Sequence, residues 1–177
     1  MRIIAGYLKG RIFDSPKSPQ THPMGDKIRG ALFNILGDIE GLHILDAFAG
    51  SGAIGFEALS RGAASASLIE TDRAAQIAIN SNIHKLGLEK TANLIKTNAN
   101  AWLLGSDTKF DIVILDPPYE NLQENTVIRL ADRTKPGGIV ALSLPPSAEI
   151  NLPTKYHNVS TKSYGDAQLR LYRSNEI

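Results

Sequence analysis

The chain alternates between short apolar runs and longer stretches in which apolar positions recur with helical spacing. From residue 42 onward, the short runs predict strands and the amphipathic stretches between them predict helices. The predicted strands are His43–Asp46, Ala66–Glu70, Ala92–Ile95, Asp111–Leu115 and Ile139–Leu144, and the predicted helices cover about 53–61, 73–86, 98–104 and 120–132. Strands and helices that alternate at this spacing predict an α/β fold, a parallel sheet with helices on both faces.

The two ends of the chain follow different patterns. Near the C-terminus, the strand-like runs Tyr156–Ser163 and Gln168–Arg173 are joined through Gly165 and Asp166, which predicts an antiparallel hairpin. Glycines and prolines interrupt residues 1–41, where we predict a hairpin over about 2–13 and a helix over about 25–37. We therefore expect a small N-terminal appendage, residues 1–41, and a main domain, residues 42–177.

Length and composition exclude several classes of protein. The chain has 177 residues, 42% of them hydrophobic and 21% charged, as expected for one globular domain. It has no cysteine, which excludes disulfides, cysteine-based metal sites and a thiolate nucleophile; its four histidines lack the spacing of zinc ligands. No apolar run approaches the roughly 20 residues of a membrane span, and no signal peptide follows Met1. We expect a cytoplasmic protein with no membrane partner.

Charge is distributed unevenly, although the net charge is only +1. Up to Gly37 the chain has six basic residues and only two acidic ones. Such a local excess predicts a face that binds phosphates, and a solvated surface is the alternative. The basic residues are Arg2, Lys9, Arg11, Lys17, Lys27 and Arg29.

A glycine motif provides the strongest local signal. Gly50, Gly52 and Gly55 have the spacing Gly-x-Gly-x-x-Gly and lie between a predicted strand and a predicted helix. This context favours a nucleotide-binding loop, the alternative being a tight structural turn. Glu70 ends the next strand about 20 residues further on, where a carboxylate can accept hydrogen bonds from ribose hydroxyls.

Asp46 distinguishes between two classes of cofactor. It ends the first predicted strand, four residues before Gly50. A carboxylate there would repel the pyrophosphate of a dinucleotide, which binds over the loop and the helix N-terminus. S-adenosylmethionine carries a sulfonium and an ammonium and has no phosphate, so acidic surroundings suit it. The residues therefore favour S-adenosylmethionine, and a dinucleotide is the alternative.

The run Asp116-Pro117-Pro118-Tyr119 follows the fourth predicted strand. It should lie beside the glycine loop, because ligands bind at the carboxyl ends of strands in open α/β sheets. Two prolines fix the backbone and remove two N–H donors, which leaves hydrogen-bond acceptors suited to the exocyclic amine of a nucleobase. Tyr119 offers a face on which that base can stack. A structural proline turn with a capping aspartate is the alternative.

Taken together, these motifs resemble those of the RsmD family of 16S rRNA guanine-N2 methyltransferases. The resemblance covers nearly the whole chain. It rests on Arg2-Ile3-Ile4-Ala5-Gly6, Lys9-Gly10-Arg11, Pro23, Asp26-Lys27-Ile28-Arg29, Leu32-Phe33-Asn34, Asp46-Ala47-Phe48-Ala49-Gly50-Ser51-Gly52, Glu57-Ala58-Leu59-Ser60-Arg61-Gly62-Ala63, Glu70 and Asp116-Pro117-Pro118-Tyr119.

The resemblance implies a Rossmann-like class I methyltransferase fold, with a seven-stranded, mostly parallel sheet. It implies that a monomer methylates one guanine of 16S rRNA, within a small-subunit particle, using S-adenosylmethionine. By motif position, the cofactor would contact Asp46, Phe48, Gly50, Gly52, Glu70, Asn98 and Ala99, although Asn98 has a helix N-cap as its alternative role. The guanine amine would contact Asp116, Pro117 and Tyr119, and the RNA would contact Arg2, Lys9, Arg11, Lys27 and Arg29.

Two departures from the family pattern lie in the proposed RNA-facing zone. His22-Pro23-Met24-Gly25 stands where the family has Arg-Pro-Thr, and Gly30 stands where glutamate is common. Two other functions remain as alternatives: a DNA adenine-N6 methyltransferase and a noncatalytic RNA-binding or ribosome assembly factor. The chain has little room for a DNA-recognition domain, and its complete Asp-Pro-Pro-Tyr motif argues against a degenerate site.

Overall fold

The computed structural model describes residues 1–17, 24–119 and 123–175. Residues 120–122, at the predicted start of the fifth helix, and His22 and Pro23 of the first departure lie outside these ranges. The helices are α1 (Asp26–Leu36), α2 (Ala53–Ser60), α3 (Arg73–Leu86), α4 (Ala99–Gly105) and α5 (Glu124–Ala131). The strands are β1 (His43–Asp46), β2 (Ser65–Glu70), β3 (Ala92–Lys96), β4 (Phe110–Leu115), β5 (Thr134–Leu144), β6 (Tyr156–Tyr164) and β7 (Ala167–Ser174). None of the helices described is long and apolar enough to cross a bilayer.

The described strands form one seven-stranded sheet, in the order β3-β2-β1-β4-β5-β7-β6. Strands β1 to β5 are parallel, and β7 runs antiparallel between β5 and β6. The predicted parallel sheet and terminal hairpin are confirmed. The strand order reverses between β1 and β4, so the crevice for a ligand is expected at the carboxyl ends of these two strands.

Both faces of the parallel strands are buried. Ile44, Leu68 and Ile114 point to the face that α1, α2 and α3 cover, where Phe33 and Phe56 also pack. Their neighbours Leu45, Ile69 and Leu115 point to the opposite face, against α4 and α5. Burial on both faces explains why these strands are continuous apolar runs in the sequence.

Strand β5 begins five residues earlier than the sequence predicts, at Thr134 instead of Ile139. The segment between contains Pro136, Gly137 and Gly138, which are typical of a turn. Here the glycines allow an irregular start of the strand, because Gly137 has φ +73° and a Cβ at Gly138 would lie 2.6 Å from the Asp111 carbonyl oxygen. The β4–β5 register shifts at the same place.

The predicted N-terminal hairpin is present as a short antiparallel pair around the bridge between Arg2 and Ile12. Met1 and Phe13 exchange two backbone hydrogen bonds, each over 3.0 Å. Beyond this pairing, the next backbone donors turn to α2. The amides of Ile4 and Ala5 donate to the Glu57 carboxylate of α2, over 2.8 and 3.1 Å, instead of to a partner strand. This segment is therefore held by a helix of the main domain.

Apolar contacts attach the same segment to the main domain. Ile3, Leu8 and Phe13 are buried in the cluster that also contains residues of α1, α2 and α3. Gly6 passes so close to α2 that a Cβ there would lie 1.7 Å from the Ser60 carbonyl oxygen. The described part of the predicted appendage therefore shares the core of the main domain.

Candidate active site at the carboxyl edge of the sheet

Three acidic residues meet at the carboxyl edge of the sheet. Asp46 is the last residue of β1, Glu70 is the last residue of β2, and Asp116 directly follows β4. The three strands are neighbours. The structure thus brings together the glycine loop and the Asp-Pro-Pro-Tyr loop, as the sequence predicts.

The glycine loop adopts a conformation that favours glycine. Gly50 and Gly52 have φ values of +54° and +80°, in the left-handed region. A Cβ at Gly52 would also lie 2.8 Å from the Phe56 ring. The loop therefore turns sharply from β1 into α2 and presents bare backbone at the sheet edge.

Asp46 is fully buried at the base of this loop. Its Oδ2 accepts a hydrogen bond from the Gly55 amide over 3.2 Å, whereas its Oδ1 has no hydrogen-bond partner among the described residues. Burial, together with the nearby charge of Asp116, raises the pKa of Asp46 to about 7. A buried acceptor without a donor costs about 1–3 kcal/mol, so Oδ1 would gain from a ligand that carries donors or positive charge.

Glu70 anchors the glycine loop, a role that the sequence prediction missed. Its Oε2 accepts the Gly50 amide over 2.7 Å, and its Oε1 accepts the amides of Thr71 and Asp72, each over 2.7 Å. A carboxylate has about four acceptor positions, so one remains for a ribose hydroxyl. The predicted ribose contact stays a prediction, beside this structural role.

The residues predicted around the adenine lie on the other face of the sheet. Asn98 caps α4, its Oδ1 accepting the Ala101 amide over 2.8 Å, so its alternative role as an N-cap is confirmed. Ala99 is buried as the first residue of α4, and the half-buried Phe48 packs on the same apolar cluster. Contacts of Phe48, Asn98 and Ala99 with a cofactor stay predictions.

Asp116 and Tyr119 flank the two prolines of their loop. Burial raises the pKa of Asp116 to about 6, against a hydrogen bond with Ser143 that lowers it. Tyr119 is 41% exposed and its Oη lies 3.2 Å from the Ser143 Oγ. Pro117, between them, is buried. Ser143 was not predicted; the available signal was one hydroxyl within an apolar run, the residue after Leu142.

The electrostatics of this edge suit a cation. None of the three carboxylates, Asp46, Glu70 and Asp116, forms an ion pair with any residue that the structure describes. A pyrophosphate would meet uncompensated negative charge here, whereas a sulfonium and an ammonium would neutralise it. The orphaned Asp46 Oδ1 and the bare glycine loop therefore fit S-adenosylmethionine.

One predicted RNA-binding residue is contradicted by the structure. Arg29 is fully buried, and its Nη2 donates to the Arg2 carbonyl over 2.8 Å and to the Asp26 Oδ1 over 3.0 Å. A guanidinium enclosed in this way does not reach a phosphate, so Arg29 holds the N-terminal segment instead. The other four predicted residues are exposed: Arg2, Lys9, Arg11 and Lys27.

An open, mostly parallel sheet with a glycine loop and an acidic carboxyl edge defines a Rossmann-like methyltransferase fold. The solved structure of yhhF from Escherichia coli supports this assignment. It superposes with a TM-score of 0.88 and 34% identity, covering all of this chain and 99% of that one.

The chain belongs to the family described as "Conserved hypothetical protein 95", whose model matches residues 1–173. It is 38% identical to Ribosomal RNA small subunit methyltransferase D of Escherichia coli strain K12, over 98% of this chain and 89% of the relative. It is 31% identical to the protein of the same name from Haemophilus influenzae, over 98% and 94%. The resemblance to the RsmD family is confirmed.

Proposed function

We propose that the chain transfers a methyl group from S-adenosylmethionine to the N2 amine of one guanine in 16S rRNA. It acts as a cytoplasmic monomer on a small-subunit particle. The observation that carries this proposal is the juxtaposition, at one sheet edge, of the orphaned Asp46 carboxylate and the acceptor-rich loop from Asp116 to Tyr119. The names of the relatives support ribosomal RNA as the substrate.

Residues of β1, β2 and the glycine loop would hold the cofactor. The Asp46 Oδ1 would accept from or pair with its cationic groups, the backbone at Gly50 and Gly52 would lie against its methionine part, and the free acceptor position of Glu70 would receive a ribose hydroxyl. When bound, S-adenosylmethionine supplies an electrophilic methyl group on a sulfonium. No metal is required for this chemistry.

The Asp-Pro-Pro-Tyr loop would hold the methyl acceptor. The amine of guanine is a weak nucleophile, because its lone pair is delocalised into the ring. Hydrogen bonds from its two N–H groups to Asp116 and the Pro117 carbonyl would aim that lone pair at the methyl group. Asp116, ionised above its pKa of about 6, would take the proton that the methylated nitrogen loses. The exposed ring of Tyr119 would stack on the base, worth about 1–3 kcal/mol.

The N-terminal segment would contact the RNA backbone. Lys9 and Arg11 are exposed there, and Tyr7 beside them is 68% exposed. A cationic surface with an exposed aromatic ring is typical of proteins that bind single-stranded RNA. Tyr7 was not among the predicted residues, and we include it with Arg2, Lys9, Arg11 and Lys27.

A labelled-methyl transfer assay tests the proposal. Radiolabelled S-adenosylmethionine is offered with unmethylated small ribosomal subunits, naked rRNA or DNA, and the product nucleosides are separated. We expect N2-methylguanosine from the ribosomal substrates alone. N6-methyladenine in DNA would show the DNA methyltransferase instead, and cofactor binding without any transfer would favour a noncatalytic factor.

The Asp116→Ala variant tests the assigned site. We expect methyl transfer to fall by at least about 100-fold, the effect of losing a positioned polar group at a reacting centre. Cofactor binding, measured by calorimetry, should change little. Asp107→Ala removes an exposed aspartate that pairs with Arg133 and precedes β4, at the opposite end of that strand from Asp116, and serves as the control. Unchanged transfer in Asp116→Ala would show that this loop is not the acceptor site.

A further inference from the structure

Strand β5 places one hydroxyl among the groups of the Asp-Pro-Pro-Tyr loop. The last paired positions of β4 and β5 are Leu115 and Leu142, so Asp116 and Ser143 are the next residues side by side. Side chains alternate along strands, so both point to the same sheet face as Ile114 and Ala141. Ser143 is only 3% exposed there.

The groups around Ser143 limit which hydrogen bonds its hydroxyl can donate and accept. Ser143 lies beside Asp116 on the neighbouring strand, where its hydroxyl lowers the pKa of that carboxyl. The Ser143 Oγ also lies 3.2 Å from the Tyr119 Oη. An ionised carboxylate can only accept, so a Ser143 hydroxyl that bonds Asp116 must donate its single hydrogen to it. The Tyr119 phenol would then donate to the Ser143 Oγ, which gives a chain from phenol to hydroxyl to carboxylate. Such chains polarise in one direction, and each bond strengthens the next.

We propose that Ser143 is a positioning residue for methyl transfer, joining the Tyr119 phenol to the Asp116 carboxylate. It acts on two groups at once. It fixes the Tyr119 ring that stacks on the base, and it occupies one side of the Asp116 carboxylate, which leaves the other side for the amine. This inference rests on the proposed function, because it deepens the same site.

Asp116 is a buried acid with other carboxylates nearby, so a hydroxyl that donates to it affects its ionisation. Asp46 faces it from β1, Glu70 on β2 acts on Asp46, and Asp166 in the β6–β7 turn lies near Tyr119. Burial is what raises the pKa of Asp116 itself. The Ser143 hydroxyl is the side-chain donor on the opposing side, so its removal should make Asp116 harder to ionise.

The test is Ser143→Ala, examined by kinetics and by titration. We expect kcat to fall about tenfold near neutral pH, the equivalent of one hydrogen bond to a charged group, while KM for S-adenosylmethionine stays unchanged. The acid limb of the kcat–pH profile should move to higher pH. Titration of the 13C-labelled aspartate carboxyl groups by NMR should show a raised pKa for Asp116, assigned with Asp116→Asn.

Two further variants separate positioning from a loss of packing. Ser143→Thr keeps the hydroxyl in a residue that suits strands and should restore most of kcat. Ser174→Ala removes another buried strand hydroxyl, on β7, and should leave both the profile and the Asp116 titration unchanged.

Each outcome is decisive. An active wild type with the same kcat and the same Asp116 pKa in Ser143→Ala overturns the positioning role. A wild type that methylates no nucleic acid overturns the proposed function and the catalytic part of this inference. The NMR titration then still reports whether Ser143 governs Asp116.

Discussion

Among the residues that the structure describes, two carboxylates are fully buried, Glu57 and Asp46, and their hydrogen-bond partners differ. Glu57, on α2, accepts two backbone amides and lies 2.7 Å from the Arg61 Nε and 3.8 Å from the Arg29 Nε. Asp46, at the end of β1, has one amide donor and no cation among the described residues.

This difference in hydrogen-bond and ion-pair partners distinguishes a structural role for Glu57 from a binding role for Asp46. Glu57 accepts three hydrogen bonds and lies beside two arginines, so its charge is compensated and joins the N-terminal segment to α2. Asp46 retains an unused oxygen at the mouth of the sheet, at a cost in stability that the folded chain tolerates. Buried charge that is left unsatisfied in this way favours a binding site, whereas satisfied charge favours a structural joint.

The comparison predicts the largest loss of stability when the Glu57 carboxylate is removed. Glu57→Ala leaves two arginines and two backbone amides without their acceptor, and breaking one side of a buried ion pair costs about 3–5 kcal/mol. We expect a large drop in the denaturant midpoint. Glu40→Ala, at an exposed glutamate, should change the free energy of unfolding by less than about 0.5 kcal/mol. If Glu57→Ala and Glu40→Ala changed the free energy of unfolding equally, the contact between Glu57 and the N-terminal segment would not stabilise the fold.

Asp46→Asn should instead raise the free energy of unfolding. Between about pH 4 and pH 7, the folded chain holds a proton on Asp46 that the unfolded chain has lost, so stability falls as pH rises through this window. Asparagine removes that dependence. Each pKa unit corresponds to about 1.4 kcal/mol, or about 3–6 °C in Tm at this chain length.

We therefore expect the Asn variant to melt at least about 2 °C above the wild type at pH 8. The difference should shrink toward pH 4, and cofactor binding should weaken. Differential scanning calorimetry at both pH values, with titration of the cofactor, measures this. If the variant is less stable than the wild type at pH 8, Asp46 is a structural carboxylate like Glu57.

The smallest effect concerns the segment that Glu57 holds. Replacing Lys9 and Arg11 with glutamine should flatten the salt dependence of RNA binding by about 0.7–0.9 in slope for each phosphate that is no longer neutralised. The control is the pair Lys109 and Lys155, exposed cations beside Asp132 on the α5 side. The same salt-dependence slope in both double variants would show that the N-terminal segment is not part of the RNA interface.

The sequence predicted the elements of the sheet better than the contacts of its charges. Helix α3 matches its predicted bounds, and the strands β1 to β4 differ by at most one residue at either end. Apolar periodicity depends on neighbours in sequence, which is why these elements could be found. The site residues at the strand ends follow from the same reasoning, since parallel strands end at one edge.

What failed depends on partners far away in sequence. Arg29 was placed on the surface by its charge, because nothing in its neighbourhood indicates the burial beside Glu57. The hairpin over 2–13 was predicted, but its attachment to that carboxylate through the Ile4 and Ala5 amides was not, for the same reason. Ser143 was missed because the pairing of β5 with β4 decides its neighbour, and register is not visible in one strand.

The attachment of Ile4 and Ala5 to Glu57 also bears on how the chain folds as it is synthesised. The segment is synthesised before its acceptor, which lies 53 and 52 residues later. At about 5–20 residues per second, that delay is about 3–10 s, during which Ile3, Leu8 and Phe13 have no α2 to cover them. The N-terminal segment thus cannot reach its native contacts until α2 has been synthesised, and its apolar side chains stay exposed until then.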